Sequence, residues 1–562
     1  VERLLSLKKS VFSLYYLPFW VLVGYVILTH LLYFPTWQSG FVTDFTGLAW
    51  RIESHRFINF FNSFGFPALQ PVLNFFLALM YKGFHINGLP WYLAFTSLHI
   101  ANAWLLFRLL RVLAVHFGAS SINFIAIAGS SLFLLSPYAS EPVTWRVCLG
   151  FLLSSYFLLQ MLRLSLQWLQ TNHSKSLQYL LLLLFLALCT LEFAFVTPLL
   201  TLLLLLVHTL HTQEFSLLLK RIAILVLPQI LLIGLYLGLQ AWVTGQWIGH
   251  HGAAVHLRFV PLEMLGQGLQ YLAKYALFAR YFEHATKTTI FQSCHAAPIL
   301  WGSWCVLLTL AGSYLVFFKK LSGTLRLAGL LLPAFFIALL PVLNLYFNYL
   351  LLVEHDRYGY LAAMFFWPFV AALLTLLPRW LRYAIVAVLL VLSGFLLHKT
   401  NRYWQESTQV YQALWKDFQW YDAKVVYVLN LPDNYNGVPL FRDNAGTHRA
   451  LPDALQYLRR QPYEGQLYEV LQYNMTTPSD GVSVSSDAAQ MLTTTFRQWG
   501  NWWWRRGIGA THYETSAYTI RLDGQSFHLQ LLEPPPTDAV FIYQNGAGWE
   551  RFTFSSDDHT TK

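Results

Sequence analysis

Long apolar runs separated by short polar breaks fill the first four hundred or so residues, and a polar stretch with alternating patterns follows. The runs cover residues 11–33, 89–111, 122–138, 144–163, 176–191, 193–210, 219–243, 298–318, 327–347, 360–377 and 382–399. About 20 apolar residues, at 1.5 Å of rise each, cross a hydrocarbon core roughly 30 Å thick. The pattern therefore predicts a polytopic α-helical membrane domain of about eleven transmembrane helices. Two loops between the runs are long. The stretches Pro71–Phe84 and Leu262–Phe282 within them are amphipathic and too interrupted to cross, which predicts helices lying in the interface plane.

Around residue 405 the pattern changes. Period-2 runs at Val425–Leu431, Tyr518–Leu522, Phe527–Leu532 and Val540–Tyr543 predict strands, and helical patterns lie at Thr408–Phe418, Pro452–Arg460 and Asp487–Trp499. The reading is a transmembrane domain over 1–404 and a soluble α/β or α+β domain over 405–562.

Composition agrees with the pattern. Charged residues make up 11% of the chain, against about a quarter in soluble domains. The 21 Trp and 31 Tyr suit two interfacial belts. The formal net charge of +10 is explained by where the basic residues sit. Lys8 and Lys9 precede the first run, Arg108 and Arg111 end the second, and Arg163 and Lys175 bracket a turn. Lys220 and Arg221, then Lys319, Lys320 and Arg326, then Arg379 and Arg382 follow. These groups fall on alternate loops, so all can face the cytoplasm together. That predicts a multi-pass protein with a cytoplasmic N-terminus and a C-terminal domain on the opposite side, in the periplasm or its equivalent. Arg3, Lys8 and Lys9 before an apolar run to Phe34 read as a signal-anchor. No basic tract argues for nucleic acid. Cys148, Cys189, Cys294 and Cys305 carry no metal or disulfide spacing.

Ionisable residues at the non-cytoplasmic mouth are the candidates for chemistry, because such groups are costly beside lipid. Asp44 lies in the first long outer loop. Glu141 sits in Ser136-Pro137-Tyr138-Ala139-Ser140-Glu141-Pro142, with Arg146 just beyond. Glu192 sits at another outer hairpin. A helix-start acid stabilised by the dipole explains Glu141 and Glu192 equally well. Asn344 lies in Pro341-Val342-Leu343-Asn344-Leu345, and Glu354-His355-Asp356-Arg357 stand immediately before a run. Arg357 offers a planar donor fork that matches a phosphate. His250, His251 and His256 read as a polar loop more readily than as a metal site. Trp499, Trp502, Trp503 and Trp504 with Arg505 and Arg506 suit either interfacial docking or sugar stacking.

Taken in order, these motifs resemble a known family. They are the first-loop acid, Gly83-Phe84-His85 with His99 and Asn102, the Ser-Pro-x-x-x-Glu-Pro-Val turn, the acid at 192, and Pro-x-x-Asn-Leu followed by Glu-x-x-Arg-Tyr-x-Tyr-Leu. The chain resembles a membrane glycosyltransferase of the GT-C class and is most similar to the protein O-mannosyltransferase group, over about residues 10–400. The resemblance implies transfer of a sugar from a polyprenyl-phosphate donor to an acceptor hydroxyl on a protein or glycan, with inversion. It implies Asp44 as general base and Glu141 and Glu192 as residues that position the acceptor or hold the basic groups. Arg357, with Arg146, Lys274 and Arg280 behind it, would bind the donor phosphate. No cofactor beyond the lipid-linked sugar is implied, and no residue pattern argues for a divalent metal.

The chain also departs from the family pattern. Thr43 and Phe45 flank Asp44 where a second acid is common, and Gln70-Pro71 stands for Arg-Pro. Arg146-Val147-Cys148 lacks the acid of Arg-x-Asp, and Leu191 precedes Glu192 in place of a basic residue. These losses leave a second reading open, a non-catalytic GT-C-like scaffold that binds a partner complex through its soluble domain. A transporter fits less well, since the charges gather at one face and no inverted halves are visible.

Overall fold

The computed structural model describes residues 17–54, 68–247, 256–257, 259–343, 345–346, 355–442, 449–488, 490–497, 502–503 and 511–553. The basic residues before residue 17 lie outside these, as do His250, His251, Asn344, Glu354, Trp499, Trp504, Arg505 and Arg506. The side chains of His256, Trp502 and Trp503 are also outside the described set. The chain forms two compact units. One comprises residues 1–34, 60–80 and 90–400, and the other 35–59, 81–89 and 401–562.

The helices run α1 (Leu17–Tyr33), α2 (Asp44–Ser54), α3 (Pro71–Phe84), α4 (Gly88–His116), α5 (Ile122–Leu134), α6 (Ser140–Thr144), α7 (Leu149–Thr171) and α8 (Ser174–Leu188). They continue as α9 (Thr197–Thr212), α10 (Leu227–Thr244), α11 (Pro261–Leu277), α12 (His284–Ser293), α13 (Ala297–Phe317), α14 (Gly323–Leu343), α15 (Asp356–Leu374) and α16 (Arg379–Lys416). Among the described residues nine helical segments are long and apolar enough to cross a membrane. There are ten if the broken pair formed by α5 and Pro137–Thr144, bent by 52°, is one span. The protein is a multi-pass membrane protein. The run expected at 176–191 is α8, 15 residues long and shorter than the roughly 20 that a span needs.

Local chemistry sets the ends. Ser136-Pro137 breaks α5 because proline cannot donate to a helical ladder and disfavours helix in the residue before it. Asn172, Gln213 and Gly245 take left-handed conformations at the C-terminal ends of α7, α9 and α10, where that geometry satisfies the last carbonyls. Gly129 has a different role. A Cβ there would lie 2.8 Å from the Cα of Pro368, so the absence of a side chain is what lets α5 cross α15 closely. At the opposite end from Glu141, a Cβ on Gly323 would meet the backbone of Phe117 and Gly118. Arg382 Nη1 there donates to Ser121 Oγ at 3.1 Å. The loops after α4, α13 and α15, three of those predicted to share one side, thus meet in space.

Strands β1 (His256–Leu257) and β2 (Leu345–Tyr346) form a short antiparallel pair in the first unit. The second unit holds β3 (Val425–Val428), β4 (Leu431–Tyr435), β5 (Val438–Pro439), β6 (Gln466–Glu469), β7 (Gln472–Met475), β8 (Val482–Ala488) and β9 (Met491–Phe496). After these come β10 (Trp502–Trp503), β11 (His512–Glu514), β12 (Tyr518–Asp523), β13 (Ser526–Leu531), β14 (Val540–Asn545) and β15 (Gly548–Phe552). They make three sheets, in orders β10-β7-β4-β5, β11-β12-β13-β9-β8 and β15-β14-β3-β6. The pairs β3–β14, β3–β6 and β4–β7 are parallel.

Three expectations are corrected here. Within the helical pattern at Asp487–Trp499, Asp487 and Ala488 end β8 and Met491–Phe496 form β9, an antiparallel pair in which Ser485 faces Thr493 and Val484 faces Thr494. Good helix formers in that stretch are overridden by strand partners on both sides of β9, since β13 pairs its other edge. The helix expected at Thr408–Phe418 is not separate. Thr408–Lys416 is the last part of the 38-residue α16, because no proline or glycine lies between Gly394 and that end. The run expected to begin at 360 begins at Asp356, which brings Arg357 inside the first turn of α15.

Candidate functional site

The sharp turn after α5 and the start of α15 meet. Glu141 lies in the first turn of α6, and its Oε2 accepts the backbone N–H of Arg357 at 3.1 Å. Its Oε1 pairs with the Arg357 guanidinium. The N–H of Arg357 is one of the donors left without an intrahelical partner at a helix start. A carboxylate there complements both the N–H and the dipole. The guanidinium is packed between rings, 5.0 Å from Trp145 and 4.6 Å from Tyr358. It also lies 3.3 Å from His355 Nδ1 and donates to the Tyr358 hydroxyl at 3.3 Å.

One residue earlier, Asp356 is fully buried and receives two cations from the α11 region. Lys274 Nζ is 2.8 Å from Asp356 Oδ1, both side chains being 0% exposed. Arg280 pairs with Oδ2. Lys274 also sits 4.9 Å from the Tyr138 ring, and the Tyr138 hydroxyl donates to the Lys274 carbonyl at 2.6 Å. Tyr275 donates its hydroxyl to the Gly359 carbonyl at 2.7 Å. A Cβ on Gly359 would stand 2.2 Å from that hydroxyl oxygen, so glycine is what lets α11 lie against α15. Burial in an aromatic environment holds the Tyr271 and Tyr275 hydroxyls well above their ordinary pKa.

Arg146, just past α6, is fully buried. It donates to the Val143 carbonyl at 3.2 Å and lies 5.5 Å from the Phe95 ring. Burial lowers its pKa from the ordinary value to about 9, with Tyr92 opposing. Lys274, Arg280 and Arg357 stand against Asp356 and Glu141: among the described residues, Glu141 pairs with Arg357, and Asp356 pairs with Lys274 and Arg280.

Glu192 opens the turn before α9 and accepts from Gln70 Nε2 at 3.3 Å. Its neighbour Phe193 touches Phe151, and Phe151 touches Tyr358. An aromatic row thus links the Glu192 hairpin to the Arg357 turn. Gln70, noted from sequence only as a departure, is the residue that meets the acid.

Asp44 heads α2 in the other compact unit. Thr43 before it has a φ of 42°, an uncommon value for a residue with a side chain. Its hydroxyl donates to the Arg442 carbonyl at 2.7 Å, and Arg442 pairs with Asp433 at 3.1 Å. Phe45 next to Asp44 packs on Phe41 and Tyr81. On α2, Glu53 pairs with Arg460 at 2.6 Å.

The structure thus brings Glu141, Arg357, Lys274 and Arg280 into one network, with Arg146 buried on the same turn as Glu141. Sequence reasoning named Asp356 but gave it no role, although it joins two of the cations. The available signal was an acid directly beside the singled-out arginine. Among the described residues no group of three His, Cys, Asp or Glu side chains could hold a metal ion. Compared with known families, curated proteins and solved structures, the chain matches none of them.

Proposed function

We propose that this protein is a membrane glycosyltransferase that moves a sugar from a polyprenyl-phosphate donor to an acceptor hydroxyl, with inversion. The observation that carries the reading is the gathering of Arg357, Lys274 and Arg280 at the start of α15, beside aromatic rings. Desolvated cations in fixed positions suit an anionic leaving group, because they need no reorganisation as its charge develops. Asp44 takes the acceptor proton. The acceptor oxygen then attacks the anomeric carbon, the bond from that carbon to the phosphate oxygen breaks, and the lipid phosphate leaves with its charge facing Arg357. Glu141 holds the guanidinium, and Glu192 with Gln70 offers an acid and an amide for the acceptor. In this reading the reaction takes place at the periplasmic face of a bacterial inner membrane.

A second reading, a non-catalytic scaffold, draws on one specific observation. Asp356 already engages both Lys274 and Arg280, as internal compensation in a purely structural network would.

Full-length protein in detergent, offered polyprenyl-phosphate sugars and assayed for released polyprenyl phosphate, tests the proposal. Wild type should release it, and Asp44→Asn should not, while unfolding at the same temperature. Arg357→Ala should weaken donor binding by roughly 2–4 kcal/mol. Wild-type protein that neither binds nor cleaves any such donor would leave the scaffold reading in place.

A further inference from the structure

A second cluster of basic side chains lies at the other end of the first unit and shares no residue with the site above. α4 ends at His116, α9 ends just past His211, and Leu218–Arg221 opens the next span. His208 Nδ1 is 3.1 Å from His116 Nε2, and the two rings stack at 5.1 Å. The His211 ring is 5.2 Å from that of His116. Arg326 Nη1 lies 3.1 Å from His211 Nδ1, while its Nε and Nη2 donate to the carbonyls of Phe318 and Lys319 at 3.2 and 2.9 Å. Arg221 Nη2 pairs with Glu214 at 2.6 Å.

Basic groups at helix C-termini are ordinarily accounted for by the dipole and by headgroups in general. Two atoms here need more than that. His208 is 4% exposed and Arg221 7%, yet His208 Nε2 and Arg221 Nη1 are buried with no hydrogen-bond partner. Unpartnered buried polar atoms are rare and point to something that completes them. If His116 donates to His208 Nδ1, both unpartnered atoms carry hydrogens and each calls for an acceptor. An anion meets that requirement. A metal ion does not, since among the described residues no three donors converge.

The same end also closes an apolar groove of 840 Å³ lined by Val207, Leu210, Tyr314, Leu325 and Phe336 and reaching to Pro261. His211 stands one helical turn beyond Val207, and the Tyr314 hydroxyl donates to the Arg326 carbonyl at 2.9 Å. An anion joined to a long hydrocarbon chain fits both features. We infer that this end of the bundle binds an anionic phospholipid. Its phosphate sits at Arg221 and His208, with His211, held by Arg326, beside it, and an acyl chain lies in the groove between α9, α13 and α14.

Native mass spectrometry of the full chain, titrated with phosphatidylglycerol and with phosphatidylcholine of the same acyl chains, tests this. Phosphatidylglycerol should bind about tenfold tighter, and Arg221→Gln should remove most of that preference. Glu214→Gln, at a side chain 45% exposed, removes a carboxylate that competes for Arg221. It should strengthen phosphatidylglycerol binding several-fold, an effect that misfolding cannot imitate. Leu210→Trp, which narrows the groove, should weaken both lipids. Equal affinity for the two lipids, or no gain in Glu214→Gln, would overturn the inference. So would displacement of phosphatidylglycerol by millimolar inorganic phosphate regardless of chain length, which would identify a small-anion site instead.

Discussion

Asp356 is the residue whose loss has the most calculable consequence. Its carboxylate and the Lys274 ammonium are 2.8 Å apart with both side chains 0% exposed. Arg280, its second partner, keeps 17% of its side chain exposed. Removing one member of a fully buried pair leaves a charge without compensation and costs about 3–5 kcal/mol. Arg280 can turn toward water, so the cost of Asp356→Asn falls mainly on Lys274. The Tyr138 ring at 4.9 Å offsets some of it, by roughly 0.5–2 kcal/mol. The expected net loss is about 3 kcal/mol. Lys274→Met alone should cost less, because Asp356 retains Arg280. Asp356→Leu together with Lys274→Met removes both buried charges. That double variant should lie within about 1–2 kcal/mol of wild type, because apolar replacement of a buried pair is often neutral. The assay is unfolding of the purified protein in mixed micelles on titration with a denaturing detergent, followed by tryptophan fluorescence. If Asp356→Asn stays within about 1 kcal/mol of wild type, or if the double variant is no more stable than the sum of the singles, the pair does not hold the site as argued.

Other consequences can be read the same way. Gly359→Ala would place a Cβ 2.2 Å from the Tyr275 hydroxyl oxygen and should cost about 1–3 kcal/mol in thermal unfolding. Tyr275→Phe in the same chain should recover part of that loss. Asp480 accepts from the backbone N–H groups of Thr476 and Thr477 at 2.6 and 3.1 Å and from both their hydroxyls. Asp480→Ala should therefore destabilise the second unit by about 2–3 kcal/mol, seen as an earlier transition in proteolysis of sites after residue 401. Burial pushes the Cys189 thiol up to about 11. Iodoacetamide at pH 8 should leave it unmodified in peptide mapping, and its reaction should rise only as the pH approaches that value.

The sequence by itself determined the membrane character, the amphipathic α3 and the places of most spans, while their edges fell several residues away. Each of these depends on local composition: apolar run length, proline, and the residues that tolerate a left-handed cap. The strands at 518 and 527 were legible because one face of each is buried and the alternation survives, and those at 425 and 540 because they are short apolar runs of strand formers, buried at most positions. Tertiary structure decided the rest. Asp487–Trp499 reads as helix in isolation, yet Met491–Phe496 within it is the strand β9, held between β8 and β13. Nothing local separates the interfacial charges of Asp356 from those of a solvated loop. Its role follows from Lys274, some eighty positions earlier in the chain, being carried to within 2.8 Å. The His208 and Arg221 atoms could not be found from sequence either, since an unpartnered donor is defined by what fails to reach it. Periodicity encodes which face of an element is buried; only packing fixes which side chain is opposite.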